Sequence, residues 1–285
     1  MQFSMVNSEI VPTSKAQLHL SDLALLRGFG LFDYFRVKEG VPLFLEDYLA
    51  RFYRSAQRLN LEVPVSEEAL KALIFGLLGA NGEPDANVRL LLTGGYSEDG
   101  FTPAEPNLAA LQHERKDYPS ELFETGAKLI THEYVRDLPE VKSINYATAV
   151  RLIPEMKRAG AIEVLYHDDG QVAETSRANV FVVTQAGTLV TPAEGILEGI
   201  TRKRILELTG EMDVEVEARA VTLDEVHAAR EVFITSTTKG AMPIAEIDGE
   251  KVGGGQAGEL TKRLGEAFSA RVEAYIKANR ATVAS

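Results

Sequence analysis

The chain has 285 residues, 45% of them hydrophobic and 25% charged, an ordinary globular composition that fits two domains or one large α/β domain. A formal net charge of −12 argues against general nucleic-acid binding, which needs a basic face, and the absence of cysteine removes disulfide frameworks and thiolate metal sites. With no segment of transmembrane length and no basic leader pattern, the expectation is a cytoplasmic protein with neither nucleic-acid nor membrane partners.

Residues 1–40 read as β-rich, and 31–45 as a strand, a Glu39-Gly40 turn and a return strand. Just before them, Arg27 stands beside Gly28 and Gly30 in what reads as a turn. From 46 to 59 the period becomes helical: Leu49, Phe52, Ala56 and Leu59 form the inward stripe, with Arg51, Arg54, Ser55 and Arg58 turned away from it. A second helix spans 67–78 and runs into a loop at 79–84. Residues 88–93 read as a buried strand around Arg89, a charge that must be paired or face a cleft. A loop follows at 94–106, then a short strand at 107–112.

The polar stretch 113–125, with Pro119, reads as a linker, dividing the chain into a smaller domain at 1–115, a connection at 116–125 and a larger domain at 126–285. The second half opens with a strand near 128–131. Lys142 then follows an acidic, proline-marked turn and precedes a helix running from about 145 to 159. Strands are expected at 163–167, from 171 onward with a polar interruption, at 180–183 and at 188–191. Residues 195–201 open a helix that Gly210 ends. A strand at 232–235 runs into Ser236-Thr237-Thr238-Lys239-Gly240, and a helix covers about 257–278. The five histidines lack metal-ligand spacing, so no metal is expected. Gly253 to Gly258 matches G-x-G-x-x-G, but too little chain follows for a dinucleotide-binding unit, and a turn is the better reading.

Three features suit a phosphate carrying a conjugated ring. Gly199-Ile200-Thr201 at a helix start offers amides, a positive dipole end and a hydroxyl. The hydroxyls of Ser236, Thr237 and Thr238 form a second cluster after a strand, and one of the arginines at 51, 54 and 58 is available to supply charge. Glu174, a carboxylate in an apolar strand pair, suits the nitrogen of a pyridine ring, and Lys142 suits a Schiff-base amine.

In their order and spacing, Lys142-Ser143-Ile144-Asn145-Tyr146, Glu174 to Phe181 and Gly195 to Arg202 resemble the motifs of fold-type IV pyridoxal-phosphate enzymes. That family includes D-amino-acid and branched-chain aminotransferases and aminodeoxychorismate lyases. The resemblance spans about 28–258. It implies an α/β (α+β mixed) fold of two domains, the larger with a β-barrel-like sheet, the cofactor pyridoxal 5′-phosphate in the cleft between them, and a homodimer. It also implies that Lys142 carries the Schiff base and shuttles the proton, that Arg51 binds phosphate, and that Tyr146 lies near the cofactor's phenolic oxygen. Glu174 would meet the ring nitrogen; Ile200, Thr201 and Thr237 would meet the phosphate; Ser176 and Asn179 join the cofactor-binding set.

Departures from the pattern concern the substrate. A common histidine is Tyr48 here, the tyrosine of a tyrosine-x-arginine pair is Asn87, and two positions of the usual carboxylate trap fall on Phe32 and Gly94. Arg27 and Arg89 are therefore expected to recognise the substrate carboxylate, with Phe32, Tyr96 and Thr238 beside them. The expected activity is transamination between an amino acid, preferably a D-amino acid such as D-alanine or D-glutamate, and 2-oxoglutarate or pyruvate. An L-branched-chain aminotransferase, an aminodeoxychorismate lyase and a cofactor-free scaffold are the alternatives.

Overall fold

A computed structural model describes residues 1–283. The chain forms two compact units: Met1–Lys116, Val141–Asn145 and the chain from Glu273 make the first, and Asp117–Glu140 with Tyr146–Val272 make the second.

The first unit contains β1 (Phe3–Val6), β2 (Glu9–Pro12), α1 (Leu23–Arg27), β3 (Gly30–Lys38), β4 (Val41–Pro42), α2 (Leu45–Arg58), α3 (Glu67–Asn81), β5 (Ala86–Thr93) and β6 (Leu108–Glu114). Its sheet runs β2-β1-β6-β5-β3-β4, antiparallel throughout. Along β3, Leu31, Asp33, Phe35 and Val37 are buried while Phe32, Tyr34, Arg36 and Lys38 stay partly open, the two-residue alternation of a sheet covered on one side. The turn that joins β3 to β4 has positive φ at both Glu39 and Gly40, a twist that suits a tight hairpin.

Helix α2 lays Leu49, Phe52 and Ala56 into the core as the period requires, but Arg51 and Ser55 are buried as well, contrary to the sequence expectation. The reason is a partner that periodicity cannot reveal: Asp33, buried on β3, receives the Arg51 guanidinium. Arg54 and Arg58 do face solvent. Two further expectations need correction. The stretch before Gly28 is a helical turn, with Asp22 accepting from the Ala24 amide at its start and Gly28 left-handed at its end. The expected loop at 79–84 begins later, because α3 continues to Asn81 and stops at a left-handed Gly82.

The second unit contains α4 (Glu121–Thr125), β7 (Ala127–Glu133), α5 (Ala147–Arg151), α6 (Ile153–Ala159), β8 (Glu163–Asp168), β9 (Gln171–Thr175), β10 (Asn179–Val183), β11 (Leu189–Thr191), α7 (Ile200–Glu211), β12 (Val216–Ala218), α8 (Leu223–His227), β13 (Glu231–Ser236), β14 (Gly240–Ile247) and β15 (Glu250–Lys251). Helix α9 (Glu259–Val283) begins in this unit. Its strands form one curled, half-barrel sheet in the order β12-β11-β10-β13-β14-β7-β8-β9, with β15 on β14. The architecture is mixed α/β.

β10 is buried at every position, and Phe181 stacks on Phe233 of β13 with ring centres 4.9 Å apart. The single helix expected at 145–159 is two, α5 and α6, meeting at Leu152 with Pro154 in the first turn of the second. Within the expected linker, residues 121–125 form α4, which packs Leu122 and Phe123 against the unit's core. Helix α7 continues one residue past Gly210.

The glycine-rich segment before α9 has a structural explanation. Gly253 and Gly255 adopt positive φ, and Gly258 lies where any Cβ would collide with the Glu231 carboxylate. That carboxylate accepts from the Leu260 and Thr261 amides and the Thr261 hydroxyl, capping α9. A helix start already satisfied by an acid has no use for a phosphate.

Candidate active site

In the first unit, Lys142 sits on a five-residue segment added to the edge of β3. The Phe32 amide donates to the Lys142 carbonyl at 2.9 Å, and the Ile144 amide to the Gly30 carbonyl at 3.1 Å. Buried Val141 precedes the lysine, and a Cβ on Gly30 would meet the Leu92 carbonyl oxygen at 2.7 Å and the Ile144 side chain at 3.2 Å. The amine therefore rises from a backbone fixed on both sides, and its Nζ stands 4.7 Å from the centre of the Phe32 ring.

Arg89 lies over the same ring at 5.3 Å and over Tyr34, its cross-strand partner, at 5.5 Å. Sequence reasoning treated Arg89 as an interior charge, whereas it is exposed, because strand alternation turns it to the open face while Val88 and Leu90 point into the core. Tyr34 continues this face to His113, 6.4 Å away between ring centres. Burial pushes the Tyr34 hydroxyl up, Arg89 and Arg36 opposing, and burial followed by Arg89 pushes His113 down.

Arg27 ends α1, exposed, with a guanidinium nitrogen 2.8 Å from the Leu26 carbonyl. Tyr96 is exposed and edge-on to His19. A Cβ at Gly94 would meet the Phe29 and Leu23 side chains at 2.7 and 3.0 Å, so glycine lets them pack against the backbone there. Arg51 is buried, its Nη2 and Nε donating to Asp33 at 2.6 and 3.0 Å, with Tyr48 stacked on the guanidinium. The residue that replaces the common histidine thus packs against the arginine instead.

In the second unit, Glu174 on β9 is buried and held from three directions. Arg136 pairs with it at 2.7 Å, the Leu197 amide donates at 3.0 Å, and the Asn179 amide group lies at 3.4 Å. Asn179 also donates to the Leu197 carbonyl at 2.8 Å, so the loop before α7 is tied to the carboxylate. A Cβ at Gly199 would strike the Asn179 side chain at 2.0 Å, which makes glycine necessary at that helix start. Ile200 and Thr201 are buried in the first turn of α7, and no side chain among the described residues caps it.

Tyr146 opens α5, and its hydroxyl is pushed up to about 12, chiefly by burial, with Arg136 opposing and Glu174 and Glu163 adding. The Ser176 hydroxyl donates to Glu163. Thr237 and Thr238 lie in the turn between β13 and β14, where the neighbouring Thr235 and Ser236 hydroxyls are buried without a hydrogen-bond partner among the described residues. Sequence reasoning gave no role to Arg136 or Glu163; the signal available for Glu163 was a lone carboxylate opening an apolar strand.

A family model described as Amino-transferase class IV matches residues 30–247. The chain belongs to the class IV aminotransferases. A Methanocaldococcus jannaschii protein provisionally named a branched-chain-amino-acid aminotransferase is 34% identical over 272 residues, covering 92% of this chain and 94% of that one. A Bacillus licheniformis D-alanine aminotransferase is 31% identical over 269 residues, covering 91% and 93%. Among solved structures, a branched-chain amino acid aminotransferase from T.th. with pyridoxamine 5′-phosphate superposes with a TM-score of 0.88 at 29% identity, covering 95% and 93%.

The chain is accordingly a transaminase dependent on pyridoxal 5′-phosphate. The residues present fit that group. An uncapped helix start with an obligatory glycine, and orphaned hydroxyls before Thr237, suit a phosphate; a buried, oriented carboxylate suits a pyridine nitrogen. No helix among the described residues is long and apolar enough to cross a membrane.

Proposed function

We propose that this aminotransferase moves the amino group of a D-amino acid, with D-alanine and D-glutamate as the first candidates, to 2-oxoglutarate or pyruvate. The observation that supports an amino-acid substrate is the shared Phe32 ring: the Lys142 amine and the Arg89 guanidinium both lie against it. A carboxylate paired with Arg89 brings the atom next to it towards the lysine, as proton transfer at Cα requires. Arg27 is the second carboxylate-binding arginine in this reading, and Phe32, Tyr96 and Thr238 border the substrate. Replacement of the tyrosine-x-arginine tyrosine by Asn87 and the Thr235 to Thr238 hydroxyl run favour the D-series.

When bound, pyridoxal 5′-phosphate supplies an electron sink for the electrons left on Cα. Lys142 Nζ would take the Cα proton and hold it for return. Glu174, aligned by Arg136 and the Leu197 amide, would hold a proton on the ring nitrogen. Tyr146 would donate to the phenolic oxygen, and Ile200, Thr201 and Thr237 would hold the phosphate, with Ser176 and Asn179 supporting the ring site. A homodimer in the cytoplasm completes the reading.

An L-branched-chain activity is the second reading, favoured by the names of the M. jannaschii and T.th. relatives. The test is to add D-alanine, D-glutamate and L-leucine separately to the holoenzyme and follow loss of its visible absorbance band. Bleaching by the D-amino acids supports the proposal; bleaching by L-leucine alone replaces it with the second reading.

A further inference from the structure

The reaction leaves one buried cluster in the second unit unexplained. Glu163, the first residue of β8, is fully buried. Its Oε1 lies 2.7 Å from Lys239 Nζ and 2.9 Å from Arg177 Nη2, while Oε2 accepts from the Ser176 hydroxyl. The Lys239 side chain is 2% exposed, and its ammonium stands 5.1 Å from the centre of the Tyr118 ring. A buried ammonium and a buried carboxylate are both costly to desolvate, and an apolar pair of the same volume would pack at least as well. Transamination uses one lysine, and Lys142 fills that role.

The place of Lys239 in the chain suggests what the pair does. It directly follows Ser236-Thr237-Thr238, and its amide closes their turn by donating to the Ser236 carbonyl at 3.2 Å. The turn spans the end of the β13–β14 pairing, where Ser236 is opposite Gly240. Thr235 and Ser236 carry hydroxyls left without partners among the described residues, so hydrogen bonds from those side chains do not stiffen it. The ion pair supplies the missing restraint from the side, anchoring the turn to β8. Through Ser176 the same carboxylate reaches the segment two residues beyond Glu174.

We propose that Lys239 is a positioning residue: its ion pair with Glu163 clamps the Ser236-Thr237-Thr238 turn to β8 and so sets how tightly the chain holds the phosphate of its cofactor. This rests on the reading that the turn meets that phosphate. A group that fixes a ligand-binding turn acts on affinity, leaving the reacting lysine untouched.

The experiment measures the dissociation constant of pyridoxal 5′-phosphate from apo-protein, well below its unfolding temperature, for the wild type, Thr237→Ala, Lys239→Met, Lys239→Arg and the double variant Lys239→Met/Glu163→Gln. The double variant removes both charges, keeping the question answerable if Lys239→Met alone does not fold. Affinity is expected to fall about tenfold in the charge-removing variants. Lys239→Arg should restore most of it, and turnover at saturating cofactor should stay within about twofold of wild type. A lower unfolding temperature with an unchanged dissociation constant means a merely structural pair and overturns the proposal. Unchanged affinity in Thr237→Ala overturns the underlying reading and the proposal with it; a loss of affinity in Thr237→Ala that the Lys239 variants do not share overturns the proposal alone.

Discussion

The two units handle charge in opposite ways. On the open face of the first unit's sheet, Lys142 and Arg89 lean on aromatic rings, and Arg89 is exposed. In the second unit Glu174 and Glu163 are buried, each gripped by a cation and a hydrogen-bond donor. An exposed cation stacked on a ring can still turn its donors to an incoming anion, whereas a buried pair spends its donors on geometry. The difference separates side chains suited to touch substrate from side chains suited to hold other groups still. Arg51 marks the boundary of the rule, since it lies in the first unit but is buried and paired with Asp33.

The largest effect is expected where that pairing is broken. Asp33→Ala takes the carboxylate away from the buried Arg51 guanidinium and should cost about 3–5 kcal/mol in denaturant unfolding. A change below about 1 kcal/mol would show that Arg51 finds water or another partner, and that its burial matters less than the geometry suggests.

Acid should next distinguish the two units. Burial alone would raise the Glu163 carboxyl, but Lys239 and Arg177 outweigh it and hold it below the ordinary carboxylate value. A group lowered on folding contributes stability that is full above its unfolded value, near pH ~4.3, and lost as pH falls through the folded one. Stability should therefore decline below about pH 5, and Glu163→Gln, though less stable at neutral pH, should show a shallower decline. Glu46 and Glu225 are lowered too, so the comparison is the difference between variant and wild type. Equal slopes would remove Glu163 from the acid response.

Arg89→Ala should leave stability almost unchanged, because its side chain is on the open face, and should raise KM for amino donor or oxo acid by about 10–100-fold. Arg27→Ala is expected to act in the same direction with a smaller effect, since its guanidinium is also engaged by the Leu26 carbonyl. Unchanged kinetics in both variants would leave the carboxylate without its assigned partners.

Much of this arrangement was legible in the sequence because it is local. The Glu39-Gly40 turn, the α2 stripe and the ordered motifs around Lys142, Glu174 and Gly199 depend on residues close together in the chain. What was not legible depends on distant partners. Arg51 reads as a solvent-facing charge until Asp33 of β3 is placed beside it, and Arg89 reads as buried until alternation is anchored by its neighbours. Helix α1 is too short for its period to show, and the break between α5 and α6 lies inside an unbroken helical pattern. Arg136 is separated by 38 residues from Glu174, so only the curled sheet reveals that they pair.

The most direct test of the division between reacting and holding groups is Lys142→Ala, followed by separate measurements of cofactor binding and of the visible absorbance band. The variant is expected to bind pyridoxal 5′-phosphate, through the second unit's groups, while losing the band and transamination. A variant that keeps the band, or that exchanges amino groups at the wild-type rate, would contradict that division.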